Sequence, residues 1–232
     1  MPRIRKEWYI IVNPHAGSGK TMRYWVPAEA RLQELGIPYN TVYTTHKRHA
    51  AELSALAART GYRKIMAVGG DGSIHEVFEG VLGWCETSGT DPSEFYLAVA
   101  PIGSGNDWIK SFGVPKDVMK VLEIVARDTF VQEDVVRVTL AGGKVSWMAN
   151  IGGLGFDSHV CERVNAQKDR GMRSSSIYLP RSTVEWAIRE ISAPSSSRKF
   201  VLMRVARKSS TSSGICTPSR SARERSICRR VL

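Results

Sequence analysis

The sequence predicts an α/β fold: a three-layer N-terminal domain on a parallel sheet, followed by an incomplete β-rich second domain. Three observations predict it. Over the first 130 residues short, continuously apolar runs alternate with longer helical patterns, as in strands buried on both faces. Three of those runs end in glycine-rich turns. Beyond Phe130 the texture changes to two short strand patterns around Ala141-Gly142-Gly143. The domain limits expected are 1–130, 131–192 and an atypical tail at 193–232.

Trp8–Val12 reads as the first buried strand. A helical face of Met22, Trp25, Val26, Ala30 and Leu35 follows and stops at Gly36, with Pro38 just beyond. Tyr39–Tyr43 is the second strand. His49–Arg59 is a helix with Leu53, Leu56 and Ala57 on one side, closed by Gly61. Ile65–Val68 is the third strand and Ile74–Val81 the third helix. Phe95–Ala100 is the fourth strand, and a helix runs from Val114, near Pro115, to Ala126. Phe130–Leu140 and Lys144–Ile151 are expected to pair as a hairpin. Val160–Gln167 and Thr183–Ile191 have helical patterns. From Ala193 the chain is Ser- and Arg-rich, with a strand pattern only at Phe200–Val205, and disorder is expected. A shifted reading frame or truncation is the preferred account of this ending, a native tail the alternative.

The formal charge of +11 suggests nucleic acid or an anionic surface until it is located. Ten of the 33 Lys and Arg, but one of the 22 acids, lie from Arg198 onward; the preceding residues carry 23 against 21. The body is nearly neutral, so nucleic acid is not the expected partner. No apolar run approaches the roughly 20 residues that span a bilayer. The four cysteines, Cys85, Cys161, Cys216 and Cys228, are scattered and show neither a zinc pattern nor a disulfide framework. A cytoplasmic location is expected. His15, His46, His75 and His159 stand singly without metal spacing and are expected to be solvated or hydrogen-bonded.

The chemistry sits in the turns after the strands, where ligands bind in open parallel sheets. The first turn is Asn13-Pro14-His15-Ala16-Gly17-Ser18-Gly19-Lys20-Thr21. Its glycines permit backbone N–H groups to approach phosphate oxygens, and Lys20 supplies a countercharge. It is close to the phosphate loop Gly-x-x-x-x-Gly-Lys-Thr, but Pro14 stands at the first glycine. The second turn, Gly69-Gly70-Asp71-Gly72-Ser73, places a carboxylate between glycines. Asp71 could accept a proton from an attacking hydroxyl or hold Mg²⁺ through water, and Ser73 could cap the next helix or touch phosphate. An ordinary turn with Asp71 bonding its own backbone is the bland alternative. The third turn is Pro101-Ile102-Gly103-Ser104-Gly105-Asn106-Asp107-Trp108, where Asn106 and Asp107 could simply cap a helix.

In order and spacing these three turns resemble the diacylglycerol kinase catalytic-domain family, which includes sphingosine and ceramide kinases and bacterial lipid kinases. Thr44-Thr45 with His49-Ala50 resembles the family's Thr-rich nucleotide-contacting segment, and Asn150–Asp157 resembles the start of its second domain. Ser73 and Ser104 stand where threonine is commoner. The middle turn is shared with NAD kinases; Gly105-Asn106-Asp107 favours the lipid kinases.

The resemblance implies a nucleotide-binding α/β domain, a β-sandwich that completes a lipid pocket, and transfer of the ATP γ-phosphate to a lipid hydroxyl with Mg²⁺. It implies nucleotide contacts at Asn13, Gly17, Gly19, Lys20, Thr45, Gly69, Gly70, Gly72, Ser73, Gly103, Ser104 and Gly105. Asp71 would be the central acid and tentative metal organiser, and Glu76, Asn106 and Asp107 would order the site. It further implies about a hundred more residues of ordinary domain, a lipid substrate met at a membrane surface by a peripheral protein, and compatibility with a homodimer. NAD kinase activity, a P-loop NTPase and a nucleotide-binding fragment without turnover are the competing readings.

Overall fold

The structure is a computed structural model that describes residues 3–103, 106–110, 112–139, 143–149, 162, 166 and 228–231. Two compact units divide the chain. One comprises 1–150 with 203–232, the other 151–202. The hairpin expected to open a second domain belongs to the first unit. In the second unit only Glu162 and Ala166 are described, both in helical conformation. The remaining patterns expected between 150 and 205, with Ser104 and Gly105, lie outside the described residues.

The first unit is built on β1 (Arg5–Val12), β2 (Tyr39–Tyr43), β3 (Tyr62–Gly69) and β4 (Tyr96–Pro101). They lie in the order β2-β1-β3-β4 and all pair in parallel. Strand side chains alternate between faces, and here both faces are dry. Tyr9, Ile11, Ile65, Ala67, Leu97 and Val99 pack to one side, with α3 (His49–Arg59) and α4 (Asp71–Ser88). Trp8, Ile10, Val12, Met66, Val68, Ala98 and Ala100 pack to the other, with α2 (Thr21–Glu34) and α6 (Val118–Ala126). The three-layer architecture follows from these two cores. Each fully buried aliphatic residue, such as Ile10 or Ile65, contributes about 1.5–3 kcal/mol.

Helix faces differ in part from expectation. On α2 the buried stripe is Thr21, Trp25, Ala28 and Leu32, at spacings of three and four. Val26 is 58% exposed because it stands one position off that stripe. On α3 small residues are buried (Ala50, Ser54, Ala57 and Ala58), while Leu56 points to solvent. The cause is close approach to α4. A Cβ on Gly80 would overlap the Ala51 carbonyl oxygen and Ser54 Oγ, so neither helix has room there for a large side chain. Helix α6 starts at Val118, not at Val114, because Asp117 caps it by accepting from Met119 N.

The strand expected over Phe130–Leu140 is broken at Val135, whose side chain is buried in the core. Its first part, β5 (Val131–Asp134), extends the main sheet, and its second, β6 (Val136–Thr139), pairs antiparallel with β7 (Val145–Met148). Between β4 and β5 lies β8 (Cys228–Val231), parallel to β4 and antiparallel to β5. Residues 228–231 thus form a strand within the tail expected to lack regular structure, and the rest of 193–232 lies outside the described residues. Backbone pairing in a gap of the sheet needs no apolar pattern in the inserted segment, which is why composition gives no sign of it.

Candidate functional site

Because β1, β3 and β4 are parallel and in register, with Val12 opposite Val68 and Gly69 opposite Pro101, their three following turns leave one rim of the sheet side by side. The turns are tied to one another by specific bonds. Asn13 N donates to Val68 O at 3.0 Å, and Ile102 N donates to Gly69 O at 2.8 Å. Asn13 Nδ2 donates to Ser73 Oγ at 3.2 Å, joining the first turn to the second.

The first turn, with the single turn α1 (Ala16–Gly19), is left-handed through Gly17 (φ 56°), Ser18 (φ 59°) and Gly19 (φ 78°). Glycine accepts that conformation without penalty; Ser18 does not. A Cβ on Gly17 would also stand 3.0 Å from Ile102 Cγ2, so a glycine is required for the first and third turns to meet. Lys20, immediately before α2, is exposed and has no ion pair among the described residues.

In the second turn Gly70 is the N-cap of α4, and no side chain caps that helix. Ser73 is therefore not the expected cap. It lies buried within the first helical turn, where it receives Asn13, and a Cβ on Gly69 would overlap its Oγ. Asp71 is the first residue of α4, half-buried. Both its oxygens are used: Oδ2 accepts from Asp107 N and Oδ1 from Trp108 N, each at 3.1 Å. Asp71 thus caps α5 (Asp107–Lys110) from 36 residues away, the duty that sequence alone offered to Asn106 and Asp107.

Asn106 is buried with φ 51°, a left-handed conformation that asparagine tolerates. Its Nδ2 donates to Gly103 O at 3.2 Å. Asn106 Oδ1 would be 3.2 Å from a Cβ on Gly103 and 3.5 Å from one on Gly70. It fills the space between the second and third turns. Asp107 is exposed and bonds Lys110, whose ammonium holds its carboxyl below the usual carboxylate value. Gly72 is exposed with open space around it.

Thr45 lies at the same rim, because Thr44 N donates to Val12 O at 2.9 Å and brings the β2–α3 loop beside the first turn. Thr45 N donates to His49 Nδ1 at 3.0 Å, and its hydroxyl lies 3.0 Å from His46 Nδ1 and 3.1 Å from His49 Nδ1. His46 and His49 are stacked, with ring centroids 4.3 Å apart. The loop is held from below by Glu76, which accepts from Arg48 N and Ala50 N, each at 3.2 Å.

The rim therefore brings together Asn13, Gly17, Gly69, Gly70, Asp71, Ser73, Gly103, Asn106 and Asp107, with Thr45 joined to them through Glu76 on α4. Sequence reasoning missed Ile102, whose side chain underlies Gly17. It also missed Glu79, to which Ser146 Oγ (2.5 Å) and Trp147 N (2.7 Å) donate, fastening β7 to α4. Neither carries a local motif. A left-handed turn followed by a lysine, a helix N-terminus and a carboxylate on one rim suit a polyphosphate and the transfer of its terminal group.

Residues 7–138 match the family profile of the diacylglycerol kinase catalytic domain. The chain is 26% identical over 159 residues to a diacylglycerol kinase of Mycobacterium tuberculosis, covering 68% of this chain and 48% of that protein. It is 31% identical over 134 residues to a diacylglycerol kinase of Staphylococcus aureus, covering 57% and 40%. It spans about half the length of these curated relatives or less. A crystal structure of a diacylglycerol kinase from Bacillus anthracis matches with a TM-score of 0.47 at 22% identity, over 60% of this chain and 47% of that one. Among the described residues no helix is long and apolar enough to cross a membrane.

Proposed function

Since the chain belongs to the diacylglycerol kinase catalytic-domain family, we propose that it works as an ATP-dependent lipid kinase, transferring the γ-phosphate of ATP to the hydroxyl of diacylglycerol or a similar lipid. The observation that carries the proposal is the meeting of three glycine-rich turns around Asp71 on one rim of a parallel sheet. In the left-handed Gly17–Ser18–Gly19 run the Gly19 amide is bonded to His15 O at 3.3 Å, so the Gly17 and Ser18 amides would meet the phosphates, with Lys20 as countercharge. Gly69, Gly70 and Gly103 allow close backbone approach, and the family resemblance adds Ser104 and Gly105 as proposed nucleotide contacts. Gly72 and Ser73 lie in the first turn of α4, whose N-terminus favours an anion. Thr45 contributes a hydroxyl from the neighbouring loop.

Asp71 takes the proton of the attacking lipid hydroxyl. Each of its oxygens accepts one amide and keeps a further lone pair, so its orientation is fixed while it stays able to accept. The same property fits Mg²⁺, which commonly binds one or two carboxylates together with phosphate oxygens and water. Asp71 would hold the ion, through water, and the ion would neutralise phosphate charge. Phosphoryl transfer depends mainly on such positioning and charge neutralisation. The lipid would be met by a cytoplasmic protein working at the membrane surface, either alone or as a homodimer.

The test is turnover of Mg-ATP by the purified chain with diacylglycerol vesicles and, separately, with NAD, alongside calorimetric ATP binding. Phosphorylated lipid supports the proposal. Phosphorylated NAD would replace it with the NAD kinase reading. ATP binding without turnover on either acceptor would leave a nucleotide-binding protein that does not catalyse.

A further inference from the structure

We infer that Glu76 is a positioning residue that holds the β2–α3 loop, and through it Thr45, in place at the nucleotide rim; the inference rests on the nucleotide assignment above. Helix α3 begins unusually. Its N-cap is Arg48, with φ 64° and no side-chain cap. The left-handed region is disfavoured for a residue with a Cβ, and an uncapped helix start leaves donors without partners.

Glu76 answers both problems from another helix. It lies half-buried on α4, and its two carboxylate oxygens accept the amides of Arg48 and Ala50, one each, at 3.2 Å. Its negative charge also stands at the positive end of α3, where the helix dipole favours it. Two of Thr45's three bonds run to the start of this helix: Thr45 N and Oγ1 both meet His49, the first residue of α3, and the third joins Oγ1 to His46 within the same loop. Thr45 is thus placed by His49, His49 by the helix start, and the helix start by Glu76. Because Glu76 and Asp71 share α4, one rigid element sets both the central acid and the loop that carries Thr45.

The experiment uses Glu76→Ala, Glu76→Gln, Arg48→Gly and the double variant Glu76→Ala/Arg48→Gly. The readouts are amide hydrogen exchange across 44–53, Mg-ATP affinity by calorimetry, and kcat at saturating ATP. In Glu76→Ala the Arg48 and Ala50 amides should exchange at least about tenfold faster, with roughly tenfold weaker ATP binding, as expected for losing charge-assisted bonds. The amides of Arg59 and Thr60 at the far end of α3 should be unchanged, and kcat should stay within about twofold. Glu76→Gln keeps one acceptor oxygen and should fall between; it carries the same readouts if the alanine variant does not fold. Glycine adopts φ 64° without strain, so adding Arg48→Gly to Glu76→Ala should recover part of the protection and affinity relative to Glu76→Ala alone.

Unchanged exchange at Arg48 and Ala50 in both Glu76 variants overturns the inference. So does a fall in kcat in step with affinity that Arg48→Gly does not relieve, since that marks a general disturbance of the fold. If the unaltered chain binds no Mg-ATP, the kinase proposal fails; exchange alone then decides whether Glu76 holds the loop.

Discussion

Replacing Asp71 by asparagine changes one atom and should be felt in two independent ways. The carboxylate accepts two backbone amides, from Asp107 and Trp108, at 3.1 Å each. Asparagine offers one carbonyl oxygen; its NH₂ group would face the second N–H, donor against donor. A hydrogen bond to a charged group is worth about 1.5–3 kcal/mol, and the partial exposure of this one argues for the lower end. Loss of the negative charge at the helix start adds a few tenths. A cost of about 2 kcal/mol in a unit of this size should lower Tm by roughly 4–8 °C. Chemistry should suffer more, because the group that accepts the hydroxyl proton is gone: general-base removal costs about a hundredfold or more in kcat. Mg-ATP affinity should fall less than about tenfold, since Lys20 and the glycine turns are untouched. Thermal melts, single-turnover phosphorylation and calorimetry separate these effects. An unchanged Tm would refute the capping account, and an unchanged kcat would refute the assignment of Asp71 as the proton acceptor.

Three further outcomes are expected. Gly80→Ala should destabilise by about 1–3 kcal/mol in urea unfolding, although alanine is the better helix former, because its Cβ overlaps the Ala51 carbonyl oxygen and Ser54 Oγ. Gly70→Val should weaken Mg-ATP binding in calorimetry with little change in Tm, because a Cβ there makes only ordinary contacts, with Asn106 Oδ1 at 3.5 Å and Ile102 O at 3.9 Å, while adding bulk between the second and third turns. Lys110→Ala should raise the carboxyl pKa of Asp107 back toward its ordinary value, seen by NMR titration of the carboxyl carbon. The ammonium is the main cause of its depression. Depression would favour folding above the ordinary carboxylate pKa and would be lost as pH falls through the lowered value. The pair lies on the exposed surface, so neutral-pH stability should barely change.

Much of this was legible from residue order. Continuous apolar runs placed β1 to β4, and the glycine turns after three of them placed Asn13, Gly17, Gly69, Asp71 and Gly103 at one rim before any coordinates. Parallel topology does that work, because it sends every strand's carboxyl end to the same side. Helix faces were less legible where contact demanded small residues. Leu56 outweighs Ser54 on any hydrophobic scale, but Gly80 opposite leaves room only for the smaller side chain. Capping across long separations was not legible at all. Asp71 to Asp107 and Glu76 to Arg48 leave no local pattern, and the bonds exist only because α4 lies between the elements they join.

That position of α4 explains why so few groups can organise the site. Asp71 reaches the third turn, Ser73 the first, Glu76 the β2–α3 loop and Glu79 the β6–β7 hairpin. The same hairpin is also tied further along the helix, where Arg137 on β6 donates to Glu86. The helix is packed along its length by Ile74, Val77, Phe78, Val81 and Leu82, all buried, and cannot shift without breaking the core. Rigidity gained from apolar packing is thereby passed to polar groups that could not order four loops by their own bonds. Each loop holds its place by one or two hydrogen bonds to a common, immobile reference. Loosening α4, as Gly80→Ala should do at its crossing with α3, would then blur Asp71 and Thr45 together, whereas a change within one loop would disturb one of them alone.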